Sequence, residues 1–203
     1  MEGGAVYEID RITSELGLAD QQGPIYWSRS SDVSFVGVPA PTPEKRAIMA
    51  WHHTIVADDV SEDFLKLFDN VVDWMTGGKA KATILFSPAP SGEGDFVLVD
   101  RLEANGHTVI DDDESSDLPD PASVDAVIKS SSGGSNPSRF AIYEVPLLSY
   151  RSTDHDDMLI SSIGTTVTAE LGQVSVPETD HPIAKGLRSS AEFVANAQSF
   201  DLI

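Results

Sequence analysis

Apolar residues between 61 and 75 recur at helical spacing. Phe64, Leu65, Phe68, Val71, Val72 and Met75 lie on one face of an α-helix, with polar positions between them. Ser61 stands where an N-cap is needed, Glu62 and Asp63 complement the positive end of the helix dipole, and Gly77 or Gly78 can take the left-handed residue that ends the helix. The next run, 81–87, is apolar, brief and bounded by glycines and prolines, which predicts a buried strand. A loop over 88–94 leads to a helix over 95–104, stopped by Asn105 and Gly106, and then to strands at 107–111, 124–129 and 145–150. Strands separated by helix-length connections pair in parallel through right-handed crossovers, so the pattern predicts an α/β fold with a doubly wound, mainly parallel sheet flanked by helices.

The flanking regions read differently. Short β-type runs at 24–27, 33–38 and 47–51, punctuated by Pro39, Pro41 and Pro43, predict strands that extend the sheet or form a β-rich annex. Near the other end, β-branched alternation over 164–176 around Gly172 predicts a hairpin. No internal repeat of fixed period is present.

Composition narrows the function classes. The 203 residues carry 13 Lys and Arg against 33 Asp and Glu, a formal charge of −20. Such a field repels phosphates and anionic headgroups, so nucleic acid and membrane surfaces are not expected partners. The 40% hydrophobic content is enough for a core despite the charge. Residues 1–16 lack both a basic segment and an apolar one, and no apolar run approaches the ~20 residues of a membrane span, so neither a signal peptide nor membrane insertion is expected. The absence of cysteine removes disulfides, thiolate metal sites and any mechanism with a Cys nucleophile.

Four stretches carry a family resemblance: LFSPAPSGEGDFVLVDRLEANGHTVIDDD (85–113), DAVIKSSSGGS (125–135), VPLLSY (145–150) and Asp180-His181-Pro182-Ile183-Ala184-Lys185-Gly186-Leu187. Together they resemble the class I glutamine-amidotransferase-like superfamily, in particular ThuA-like and related modules of bacterial surface proteins. The resemblance implies a flavodoxin-like sandwich and, in some relatives, a sugar-related or hydrolytic role. The segment 63–74 is similar to the helix that closes such modules, yet here it precedes the first strand. The chain therefore reads as two halves in permuted or half-shifted order, with 1–78 as the closing half and 79–203 as the opening one. They form one domain, or each half completes a neighbouring chain and the chains polymerise head to tail.

Candidate chemistry is sparse. The amidotransferase mechanism needs a Cys on a strand-to-helix elbow with a His and an acid, whereas 130–135 is Ser130-Ser131-Ser132-Gly133-Gly134-Ser135, without the G-x-S-x-G elbow. It reads as a glycine-serine loop where open α/β sheets bind ligands, with a serine nucleophile as the sharper alternative. His52 and His53, after Trp51, sit in or just past a strand, so their side chains are expected on opposite faces and unsuited to one ion. Asp154-His155-Asp156-Asp157 offers O and N donors to a divalent ion but lacks the glycine and distal Glu of an EF-hand loop. Asp111-Asp112-Asp113-Glu114, with Asp117 and Asp120, reads as a solvated acidic loop or a weak Ca²⁺ site. His181 is expected to fix its turn, and Trp27, Trp51 and Trp74 to serve core or interface.

No catalytic, cofactor-binding or metal residue is assigned on this pattern. The expected role is a non-catalytic, self-associating structural module, extracellular or on a particle surface. The competing expectation is a ThuA-like enzyme or sugar-binding protein using His155, His181 and the 130–135 loop.

Overall fold

In the computed structural model, the residues described are 6–8, 25–28, 44–49, 51–115, 117–134, 136–154, 157–158, 167–171, 173–175, 182–188, 190–192 and 198–202. The longest helix, α1 (Glu62–Thr76), has the expected ends. Ser61 Oγ accepts the Phe64 N–H at 3.0 Å, and Gly77 takes φ 67° while its N–H returns to the Asp73 carbonyl. Helix α2 (Glu93–Ala104) begins two residues before the expected start, because Gly92 already supplies the extended N-cap conformation.

Seven strands form the main sheet: β1 (Val6–Glu8), β2 (Ile25–Ser28), β3 (Arg46–Met49), β4 (Thr83–Ser87), β5 (Thr108–Asp111), β6 (Ala126–Lys129) and β7 (Leu147–Ser149). Their order across the sheet is β1-β2-β3-β7-β6-β4-β5. The run β3-β7-β6-β4-β5 is parallel throughout, so the fold is α/β and flavodoxin-like. Counted from β4, these strands follow the flavodoxin order 2-1-3-4-5, with β3, which comes earliest in the chain, in the fifth place. β2 joins β3 antiparallel and β1 pairs parallel with β2, extending the sheet on that side. The expected strand at 33–38 lies outside the described residues.

Alternation along the strands sorts two cores. Ala47, Met49, Ile84, Phe86, Ala126, Ile128 and Leu148 face α1 and α2. Ile48, Leu85, Val127 and Leu147 face the other side, where Phe140, Tyr143, Val145 and Met158 cover them from 3₁₀ turns and loops. On the first side α1 buries Phe64, Leu67, Phe68, Val71, Val72 and Met75, and Trp51 stacks on Phe64 with ring centroids 4.3 Å apart. Arg101 of α2 makes a two-pronged ion pair to Asp69 of α1, its Nη2 2.6 Å from Oδ2, which ties the two helices together. The 182–187 stretch lies on α1, where Asn70 Nδ2 donates to the Ile183 carbonyl at 2.8 Å and Lys66 Nζ to that of Gly186 at 2.9 Å. Among the described residues no helix is long and apolar enough to cross a membrane.

The second side depends on a buried cation. Arg46 of β3 has no exposed surface, and its guanidinium donates to the carbonyls of Val145 (2.8 Å), Tyr143 (3.0 Å) and Phe140 (3.4 Å). These bonds satisfy the irregular backbone that covers the sheet, which could otherwise not be buried. Burial pulls the Arg46 pKa down to about 10, so the group stays charged at neutral pH.

Among the described residues, the two arms of the hairpin expected over 164–176 pair elsewhere and not with each other. β8 (Val167–Leu171) pairs antiparallel with β11 (Gln198–Leu202), and β9 (Gln173–Ser175) with β10 (Ser190–Glu192). Alternation marks a segment as a strand but leaves its partner open, and here both partners lie further along the chain.

Replacing Phe64 by Ala removes the aromatic stack and empties a fully buried site, so Phe64→Ala is expected to cost about 3–5 kcal/mol in urea unfolding. Tryptophan emission of the folded variant shifts to the red as Trp51 loses its cover.

Candidate functional site

After β4 the chain moves to β5 at one edge, and after β6 it moves to β7 on the opposite side. The crevice between the carboxyl ends of β4 and β6 is therefore the topological switch point, where open α/β sheets bind ligands. Its walls are the loop following Ser87, the 130–134 loop and the first turn of α2.

Lys129, the last residue of β6, is fully buried under the 130–134 loop. Its Nζ donates to the Gly133 carbonyl at 2.8 Å and lies 3.4 Å from Glu114 Oε1 and 3.8 Å from Asp154 Oδ2. The loop can close over the amine because Gly133 and Gly134 take φ of 130° and 137°, and a Cβ on Gly134 would collide with Nζ. Desolvation lowers the Lys129 pKa, against the pull of Glu114 and Asp154. Desolvation also raises that of Asp154, which Arg151 and Lys129 hold down. Ser130 is equally buried, and its Oγ donates to Asp95 Oδ1 at 2.7 Å.

The turn joining β3 to α1 closes the crevice from the side. His53 donates its backbone N–H to Ser131 Oγ at 2.9 Å, and its Nδ1 lies 3.1 Å from the same oxygen. The His53 carbonyl accepts the Gly94 N–H at 2.8 Å, and Glu93 Oε1 accepts the Ala57 N–H at 3.0 Å. A Cβ on Gly92 or Gly94 would run into the carbonyls of His53 and His52, so both glycines are needed for this approach. A helix N-terminus at a switch point is a natural anion site; here one of its N–H groups, that of Gly94, is taken by the His53 carbonyl.

The serine loop lies at the switch point as expected, and its two inner serines have different partners. Ser130 is turned into the core toward a carboxylate, while Ser131 meets a histidine as a clip between two loops. Ser135 lies outside the described residues. Beneath them Tyr150 is buried with its hydroxyl unpaired among the described residues, and burial next to the Asp95 charge raises its pKa well above the usual value.

Two expectations need correction. His52 and His53 do not point to opposite faces, because β3 ends at Met49 and the chain has turned; their rings lie side by side with centroids 4.3 Å apart. Nor is the acidic run uniformly solvated. Asp111 and Asp113 are exposed, but Asp112 is buried 3.4 Å from Arg139 and accepts the Glu114 N–H, and Glu114 turns inward to Lys129 and Ser87. The reversal is made at Glu114 itself, with φ 59°. Asp117 and Asp120 are exposed, the latter capping a 3₁₀ turn through Ala122 N–H. Asp154 is buried among cations, Asp157 is exposed, and His155, Asp156 and His181 lie outside the described residues. Among the described residues no group of three or more His, Asp or Glu could hold a metal ion.

Sequence reasoning missed Lys129 and Asp95. The available signals were a lysine ending an apolar strand just before a double glycine, and an acid in the first turn of a helix. A separate cavity of about 320 Å³ lies at the opposite end of the sheet, between the helices and the amino ends of β4 and β5, with Asp69, Asp73, Lys79, Asn105 and His107 on its walls. No protein-family model, characterised protein or solved structure matches the chain.

Removing the amine leaves Glu114 and the Gly133 carbonyl without their buried donor and Asp154 with Arg151 alone, so Lys129→Met is expected to destabilise the fold by about 3 kcal/mol at neutral pH. Without Lys129 the Asp154 pKa rises further. The folded state then binds a proton that the unfolded state releases, and stability increases as pH falls toward the unfolded-state value of 3.8. Urea unfolding of both forms across the acid range should show the variant's deficit shrinking as pH falls.

Proposed function

We propose that this protein is a non-catalytic, amidotransferase-like α/β module with a structural or assembly role, working outside the cell or on a particle surface. The observation that carries this reading is the crevice at the switch point. The Gly94 N–H at its helix terminus is taken by the His53 carbonyl, and its polar side chains, Lys129, Ser130 and Asp95, are buried and bound to one another's loops. A reacting group needs access and an oriented base; Ser130 has no surface exposed, and the hydroxyl of Ser131, 3.1 Å from His53 Nδ1, is tied to the His53 backbone N–H.

The pairing of β3 with β7 supports closure of the two halves within one chain. Complementation between neighbours would remake this pair between chains, whereas a chain closed on itself keeps it internal. Self-association then uses the outside of a closed module. The outer edge of β5, where Ile110 is 41% exposed, is a candidate contact. A charge of −20 opposes such contacts at low ionic strength, and salt screens it.

Sedimentation velocity is the direct test. The expected result is a 21.8 kDa species at low ionic strength and larger species as salt or a divalent cation is added. Assays for ammonia release from glutamine and for glycoside or ester hydrolysis should stay at the buffer rate. Turnover that Ser131→Ala abolishes would establish the competing reading, an enzyme of ThuA-like type.

A further inference from the structure

We propose that the cavity at the amino ends of β4 and β5 binds a small organic ammonium ion that carries a hydroxyl group, a molecule of the amino-alcohol class. The site lies at the end of the sheet opposite the switch point and is independent of the structural role above. Two helices run their carboxyl ends toward this space: α1 ends at Thr76 and leads into β4, and α2 ends at Ala104 and leads into β5. Helix carboxyl ends carry partial negative charge, and the last turn of α1 has no basic residue to offset it. Asp69 and Asp73 stand one turn apart on α1, and both line the cavity of about 320 Å³, room enough for a small ligand. The charges around it do not cancel. Asp69 is bound by Arg101 at 2.6 Å and Lys79 by Asp125 at 2.8 Å, whereas the exposed Asp73 carboxylate has no partner among the described residues. One uncompensated negative charge remains, in a chain whose overall charge of −20 gathers cations.

The remaining groups distinguish an organic ion from a metal ion. His107 Nδ1 accepts the Ala82 N–H at 3.1 Å, so the ring carries its proton on Nε2, a donor with no acceptor among the described residues. Asn105 donates from Nδ2 to Asp69 Oδ1 at 2.8 Å and keeps its own Oδ1 as an acceptor. Val72, Ala80 and Leu102 supply the apolar part of the wall. A bare metal ion is repelled by an N–H and gains nothing from methyl groups. An amino alcohol uses all of them: its ammonium bonds Asp73 and Asn105 Oδ1, its short carbon chain lies against Val72 and Leu102, and its hydroxyl oxygen accepts from His107 Nε2.

Titration of the isotope-labelled full chain with straight-chain aminobutanol at low ionic strength, followed by NMR, tests this. Saturable shifts are expected at the amides of 78–80 and 105–107. Butylamine, which lacks the oxygen, should bind about threefold more weakly, and butanediol, which lacks the charge, about tenfold more weakly. These three probes act on the unsubstituted chain, so their ranking is free of folding effects. Asp73→Asn, at an exposed position, should lower the affinity for aminobutanol about fivefold and leave that for butanediol unchanged. Ala80→Leu, also at an exposed position, crowds the cavity without changing its charge and should abolish the saturable shifts. Absence of saturable shifts, equal binding of the three probes, an affinity for aminobutanol unchanged by Asp73→Asn, or shifts centred on 92–94 and 130–134 would overturn the proposal.

Discussion

The parallel pairing of 46–49 with 147–149 is the constraint on which the rest of the structure depends. It brings a segment from early in the chain to the side of the sheet that a later one would fill in the usual strand order. Everything attached to β3 follows it. Arg46 reaches the carbonyls that make the second face of the sheet buriable, Trp51 meets Phe64, and α1 is laid across the first face. The turn at 52–54 is carried to the carboxyl end of the sheet, where it closes the crevice against α2 and Ser131.

Much of this fold is legible in the sequence because its elements are strongly patterned. The stripe from Phe64 to Met75, the cap at Ser61 and the stop at Gly77 are local signals, and local physics decides them. The central strands are short apolar runs between turn residues, a signature that survives any pairing. Pairing itself is another matter. The alternation at 167–175 marks strands correctly, yet its partners lie at 190–202, and nothing in a period of two selects them. Boundaries also moved where backbone geometry outweighed pattern, as at Gly92, which starts α2 ahead of its apolar residues.

The site was less legible than the fold. Its decisive contacts join residues 78 and 41 positions apart, Ser131 with His53 and Gly94 with His53, and each is made by a backbone group that no side-chain motif advertises. The acidic run misled for a related reason. Four successive carboxylates look alike in a sequence, but Asp112 and Glu114 turn inward to Arg139 and Lys129 while Asp111 and Asp113 stay exposed. Among the described residues buried charge is matched by opposite charge at Lys129, by carbonyls at Arg46 and by hydroxyl and N–H donors at Asp95, and that matching depends on tertiary placement.

The sequence distance between β3 and its neighbour β7 bears on how the chain is made. Ile48 pairs beside Ser149, so roughly 100 residues must follow it off the ribosome, about 5–20 s at ordinary elongation rates of 5–20 residues per second. During that interval α1 can form, but its apolar face has no completed sheet beneath it. Newly made N-terminal segments therefore wait with Phe64, Phe68 and Met75 uncovered, and nascent-chain holdases have their best opportunity to bind this protein in that interval.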